Sequence, residues 1–302
     1  MYNGILNVYK EAGFTSHDVV AKLRGICKQK KIGHTGTLDP DAVGVLPVCF
    51  GSGTKLCDML TEWDKEYIAT LRLGVATDTQ DLTGQVIFHA KEEALAALTE
   101  EKVRACILGF CGGYDQIPPM YSALKVNGKK LYELARAGKE VERKPRAVQI
   151  RELEILKTDL PTVRFRVVCS KGTYIRTLCH DIGEKLGCGG AMASLTRSRV
   201  GIFGIEKALR LAEIEKLRDE DKISDIIVSP DAVFSDCKEV KAVSAACRLL
   251  ENGNKIPVGM LGYPVSLREK ERLRMYDETG RFYGIYEYDA GAKEAKPVKM
   301  FL

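Results

Sequence analysis

Two stretches of strict alternation limit the architecture more than any other feature of the sequence. Tyr67, Ala69, Leu71 and Leu73 alternate with Ile68, Thr70 and Arg72, and Val163, Phe165, Val167 and Cys169 alternate with Arg164 and Arg166. A period of two turns one side of each stretch toward a core, the pattern of a strand in a half-buried sheet. Around them the period becomes helical. Val19, Val20, Leu23 and Ile26 have that spacing, with Thr15 and Asp18 placed as a capping box. Leu95, Leu98, Val103 and Ile107 predict a helix over 92–110, and Ile175, Leu178, Ile182 and Leu186 predict another. A short helix is expected over 130–137, ended by Gly138. Gln116-Ile117-Pro118-Pro119 cannot be helix interior. Strands and helices mix without a regular βαβ repeat, so the expected class is α+β. Residues 33–53 are rich in glycine and punctuated by proline. They read as a long loop with a short buried element at 45–48. The acidic helical stretch 206–236 reads as a connection, and the short elements from about 238 onward, with a strand at 281–286, as a small second domain.

The chain has 302 residues, 45% hydrophobic and 29% charged, which excludes a disordered, collagen-like or disulfide-stapled class. No apolar run nears the ~20 residues of a membrane helix. The start has no basic segment followed by an apolar one, so the expected location is the cytoplasm. Ten cysteines without a C-x-x-C read as reduced, buried thiols, and zinc is not expected. Net charge is only +5, but it is unevenly spread. Lys22, Arg24, Lys28, Lys30 and Lys31 stand in 19–38 with no acid, and Arg164, Arg166, Lys171 and Arg176 in 163–178 with none. Residues 125–157 are also basic, and 213–236 are acidic. Basic segments gathered on one face would bind a polyanion; spread apart, they are ordinary solvated surface.

The most informative window runs Gly33-His34-Thr35-Gly36-Thr37-Leu38-Asp39-Pro40-Asp41-Ala42-Val43-Gly44. Its glycines permit tight turns, and Pro40 stiffens the chain directly after Asp39. A carboxylate on a stiffened loop beside a basic segment is a candidate nucleophile or base. A turn-capping aspartate is the alternative. Gly51-Ser52-Gly53-Thr54-Lys55 lacks the spacing of a phosphate-binding loop. His34 and His180 have no serine elbow or clustered ligands beside them.

At this window the sequence resembles the TruB family of tRNA pseudouridine synthases. Residues 7–16 are similar to the family's first motif and 33–44 to its catalytic motif. Tyr67 follows Lys65-Glu66 where the family has its active-site tyrosine. Residues 116–126 and 128–138 are similar to another block. Cys169-Ser170-Lys171-Gly172-Thr173-Tyr174-Ile175-Arg176-Thr177-Leu178 resembles the arginine motif, and 195–201 the last. The blocks stand in family order over residues 1–205. Glu11 replaces a common proline, and Gly190-Ala191-Met192 lacks a histidine often found there.

The resemblance implies a mixed, largely antiparallel central sheet flanked by helices, followed by a small C-terminal PUA-like β domain. The implied boundaries are 1–237 for the catalytic domain, with an insertion at about 125–147, and 238–302 for the RNA-binding module. The implied reaction turns uridine 55 of the tRNA T-loop into pseudouridine without cofactor or metal. Asp39 would be the nucleophile, held ionised by Arg176. Guanidinium suits that role because it stays charged and forks onto carboxylates. A stacked base must be flipped out to react. Tyr67 would stack on it and help move a proton, Leu195 would cover its other face, and His34 would fill the gap it leaves. Tyr174 would also contact substrate, and Lys10 would support the loop or a phosphate. Lys28, Lys30, Lys31, Lys125, Lys129, Lys130, Arg143, Lys144 and Arg146 would follow the phosphates of the T-arm. The implied protein is a monomer without an obligate protein partner and without a membrane. A noncatalytic RNA-binding protein on the same scaffold is the rival, and the intact Asp39 argues against it. A nucleotide-dependent enzyme lacks its phosphate loop here.

Overall fold

The computed structural model describes residues 1–262 and 266–302. β1 (Gly4–Lys10) leads into α1 (Ser16–Ile26). The Thr15 hydroxyl accepts the Asp18 N–H at 3.1 Å, and Asp18 accepts the Thr15 N–H at 2.8 Å, so the capping box forms as the sequence predicts. β2 (Ile32–His34) and β3 (Val43–Phe50) come next. Here the expectation of a long loop needs correction, because β3 is an eight-residue buried strand and only 35–42 is loop. β1 runs along one edge of β3, and β2 lies along the other. The two faces of β3 are also buried, Leu46, Val48 and Phe50 in one cluster and Val45 and Cys49 in another, so it is apolar throughout and shows no alternation to betray it.

α2 (Cys57–Thr61) turns the chain into β4 (Lys65–Leu73). β5 (Val75–Thr77) and β6 (Val86–His89) form a hairpin. The single helix expected over 92–110 is two, α3 (Glu92–Ala96) and α4 (Glu100–Leu108). The Thr99 hydroxyl accepts the Lys102 N–H at 3.3 Å and starts a fresh helix. β7 (Gly112–Gln116) precedes a small hairpin of β8 (Lys125–Val126) and β9 (Lys129–Lys130). α5 (Leu131–Arg136) then leads to β10 (Arg146–Asp159) and β11 (Thr162–Cys169). α6 (Ile175–Lys185), β12 (Gly190–Val200) and β13 (Phe203–Gly204) complete the layer.

The main sheet has nine strands in the order β1-β3-β12-β4-β11-β10-β7, with β2 beside β3 and β13 beside β12. All pairings are antiparallel except the short parallel contact of β12 with β3. The alternating apolar residues of β4 and β11 meet α4 and α6 in one core, with Leu71, Phe165, Ile107 and Leu178 buried. α6 lies hard against the start of β12. A Cβ on Gly183 would sit 2.0 Å from the Gly190 nitrogen. Gly183→Ala is therefore expected to destabilise the fold by about 2–3 kcal/mol through forced separation of helix and strand, read as a lower denaturant midpoint.

The stretch 206–236 is more than a connection. α7 (Leu211–Asp219) and α8 (Ile223–Ile226) bury Leu211, Ile214 and Ile223 against Val8, Val19 and Leu23. Its acids face outward, which disguises the inward apolar stripe. After it, β14 (Lys238–Lys241), α9 (Cys247–Glu251), β15 (Ile256–Pro257), β16 (Arg272–Tyr276), β17 (Phe282–Asp289) and β18 (Glu294–Met300) form a C-terminal unit. Its five-stranded sheet has the order β14-β16-β17-β18-β15 and its own core around Val240, Leu273 and Tyr286. Ile285 and Phe234 join it to the main layer beside Ile5 and Val45. All ten cysteines are free, but they are not uniformly buried: Cys111 is exposed and five others are half-buried.

Candidate active site

Asp39 sits on the loop between β2 and β3, and two buried cations fasten that loop by its carbonyls. Lys10, fully buried, donates to Pro40 at 2.8 Å, Ala42 at 2.6 Å and Glu11 at 3.2 Å. Arg197 on β12 is 1% exposed and donates from Nε to Val45 at 2.7 Å and from Nη2 to Gly36 at 3.2 Å. The Ser16 hydroxyl accepts the Leu38 N–H at 2.9 Å. The backbone comes closest at Gly44, whose φ is +106°. A Cβ there would lie 2.3 Å from the Arg197 carbonyl oxygen, so only glycine fits. Burial pushes the Lys10 ammonium down to about 8, with the Asp39 carboxylate opposing.

Arg176 enters from the first turn of α6. Its Nε lies 2.9 Å from Asp39 Oδ2, and its Nη2 donates to Oδ1 at 3.1 Å, a forked pair. The same guanidinium donates to the Tyr121 carbonyl at 2.9 Å and the Thr79 carbonyl at 3.0 Å. Asp81 Oδ2 stands 3.8 Å from Nη1. Asp81 is itself oriented by the hydroxyls of Thr79 at 2.7 Å and Thr83 at 2.6 Å. Enclosure, with a smaller push from Asp81, raises the Asp39 carboxyl above its ordinary value, although Arg176 pulls against the rise. The Asp39 side chain remains 38% exposed while its partner is 5% exposed. Water reaches the carboxylate from one side and the guanidinium fork holds it from the other.

This pair opens onto a cleft of about 390 Å³. Tyr67 on β4 and Leu195 on β12 line it, from neighbouring strands in which Tyr67 pairs with Arg197 and Leu195 with Ala69. Burial pushes the Tyr67 phenol up, and Arg197 beside it pulls the other way. Tyr174, the residue before α6, lines the cleft as well. The buried Gln116 side chain holds its backbone from both sides, accepting the N–H at 2.7 Å and donating to the carbonyl at 3.0 Å. Tyr121, Lys65 and Arg197 also line the cleft.

Asp39, Tyr67, Tyr174, Arg176 and Leu195, distant in the chain, thus meet at one cleft. Four other candidate residues do not line it. Lys10 lies beneath the loop with its donors occupied. His34 packs edge-on against His17 at 5.3 Å and accepts the Gly36 N–H at 3.3 Å. Lys125 and Lys130 stand on the β8–β9 hairpin, where Lys130 donates to the Tyr132 hydroxyl at 3.1 Å. Sequence reasoning missed Asp81, Lys65 and Arg197. The polar run 77–81 directly after a strand was the available signal for Asp81.

Comparison with known proteins gives the class first. The model of the TruB family pseudouridylate synthase N-terminal domain matches residues 24–175, and that of the tRNA pseudouridylate synthase B C-terminal domain matches 176–235. The molecule is a pseudouridine synthase. The tRNA pseudouridine synthase B of Lachnoclostridium phytofermentans is 53% identical over 310 residues, covering 99% of this chain and 100% of that protein. The one from Clostridium tetani is 45% identical, covering 94% of each. The chain belongs to the TruB family, and it isomerises uridine in tRNA. Among solved structures, an H/ACA RNP bound to a substrate RNA containing 2′-deoxyuridine shares the fold. Its TM-score is 0.73 at 23% identity, over 99% of this chain and 85% of that one. A Cbf5-Nop10-Gar1 complex gives a TM-score of 0.73 at 25% identity, with the same coverage.

Proposed function

We propose that the substrate is uridine 55 of the tRNA T-loop and that Asp39 is the nucleophile, in a reaction needing no cofactor. The observation that carries this reading is the forked Arg176–Asp39 pair at a cleft walled by Tyr67 and Leu195. A uracil must leave its stack to reach that carboxylate. Tyr67 and Leu195 then hold the extruded ring, and Arg176 keeps Asp39 ionised and aimed. Asp39 bonds to the substrate as the bond from N1 to the ribose breaks; the ring turns, C5 bonds to the same ribose carbon, the Asp39 bond is released, C5 loses its proton and N1 takes one up. Atoms and electrons balance as an isomerisation, so no donor or redox partner enters. Asp81 and the Thr79 and Tyr121 carbonyls position Arg176 from its far side.

The enzyme acts as a cytoplasmic monomer on this reading. Residues 1–237 form the catalytic domain. Residues 238–302 form a PUA-like module that meets the acceptor stem, and the basic cluster at 125–147 is an insertion that closes on the T-arm phosphates. An unmodified T-arm stem-loop, incubated with the enzyme and mapped chemically, is expected to carry pseudouridine at position 55. Conversion at another uridine, or none, contradicts the assignment. Limited proteolysis is expected to cut within 125–147 more slowly when tRNA is present, and unchanged cutting removes the closure.

A further inference from the structure

The pocket carries more positive charge than its carboxylates neutralise. Arg176 faces Asp39 and Asp81. Lys65 and Arg197 also line the cleft, are 6% and 1% exposed, and hold backbone carbonyls. Neither has a carboxylate at ion-pair distance among the described residues. Burying a cation without an opposite charge is costly, and a fold retains such a group where an anion must be met.

Lys65 is the more telling of the two. Its ammonium donates to the Thr61 and Trp63 carbonyls, both at 2.5 Å, at the end of α2. An ammonium has three donors, so one remains. Capping a helix end is done equally well by a surface lysine and does not call for a place in the wall beside Tyr67. Lys10, by contrast, has all three donors on carbonyls and does not line the cleft.

We propose that Lys65, with Arg197 behind it, is an electrostatic residue of the isomerisation, stabilising negative charge on the uracil ring after it leaves the ribose. The inference rests on the reading of this cleft as the Asp39 reaction site. When the bond from N1 to the ribose breaks, its electron pair stays on the ring. The ring is anionic until C5 bonds to the ribose carbon; the C5 proton then leaves and N1 takes one up, so nothing external is consumed. A fixed cation aimed at charge that exists only in mid-reaction lowers the barrier without tightening RNA binding.

Burial pushes the Lys65 ammonium down to about 8. Arg197 on β12 adds to this, and Cys169 on β11 and Asp64 and Glu62 on its own turn oppose it. The ammonium is charged below that pH and loses its charge above it. The single-turnover rate at saturating T-arm RNA is therefore expected to fall as pH rises through about 8. Lys65→Arg stays charged, so it should keep its rate within about tenfold and show no such fall. Lys65→Met should lose about 10²–10³-fold in rate at neutral pH with RNA affinity kept. A rate for Lys65→Met within about threefold of the parent overturns the proposal, as does an alkaline fall that survives Lys65→Arg, which would belong to Lys10. If Lys65→Met does not fold, as thermal melting would show, the pH profiles of the parent and Lys65→Arg decide alone. Asp39→Asn is measured beside them. Activity in that variant defeats the reading of the cleft itself; an inactive Asp39→Asn beside an unimpaired Lys65→Met defeats only the role of Lys65.

Discussion

Asp39→Asn is expected to bind T-arm RNA as the parent does and to form pseudouridine at least about 10⁴-fold more slowly. The substitution keeps the size of the side chain and removes the charge that attacks on the proposed reading. It should disturb the surroundings little, because the loop is fastened through its carbonyls by Lys10 and Arg197 and not through the Asp39 carboxyl. Release of tritium from C5-labelled uridine measures the rate, and filter binding the affinity. A rate within about tenfold of the parent would remove Asp39 from the chemistry. Lost binding with a normal rate at saturation would make it a docking residue instead.

Arg176→Ala is expected to harm both stability and rate. It leaves Asp39 and Asp81 facing an emptied space, with the Tyr121 and Thr79 carbonyls deprived of their donor. Because Asp39 keeps water on one side, the cost is below the ~3–5 kcal/mol of a fully buried pair. The lost positioning adds a rate loss of about 10³-fold or more. Arg176→Lys separates the two effects. An ammonium restores the charge but cannot fork onto one carboxylate while holding two carbonyls. Its denaturant midpoint should recover much of the loss while its single-turnover rate stays low. A lysine variant within about tenfold of the parent rate would show that charge suffices and the fork does not matter.

The sequence reveals those parts of the fold whose period differs on their two sides. β4 and β11 alternate because one face meets α4 and α6 while the other stays wetter, and α1 announces its start with Thr15 and Asp18. β3 is hidden because both its faces are buried, Leu46, Val48 and Phe50 in one core cluster and Val45 and Cys49 in another, which leaves it apolar throughout. The 92–110 region hides its break because Ala97 closes one helix and Thr99 opens the next only two residues later. The site follows the same logic. Asp39, Tyr67 and Arg176 stand in dense local motifs, so resemblance finds them. Asp81 and Arg197 meet the site through residues far away in the chain, Asp81 marked only by the polar run 77–81, while Lys65 holds the nearby Thr61 and Trp63 carbonyls and reads as an ordinary charged residue at the start of a strand. Lys10 is expected from the resemblance to support the loop or a phosphate; its ammonium lies under the loop, on carbonyls that only the folded β1–β3 pair brings within reach.

The fastening of the Asp39 loop has a consequence for selectivity. With its backbone tied down on two flanks, the enzyme has little freedom to adapt to an ill-fitting guest. On the proposed reading, adaptation is left to the nucleic acid, which must unstack and deform to present its base. Discrimination among RNAs then depends on how readily each loop yields, so that the pliancy of the guest, more than its letters, sets how fast it is turned over.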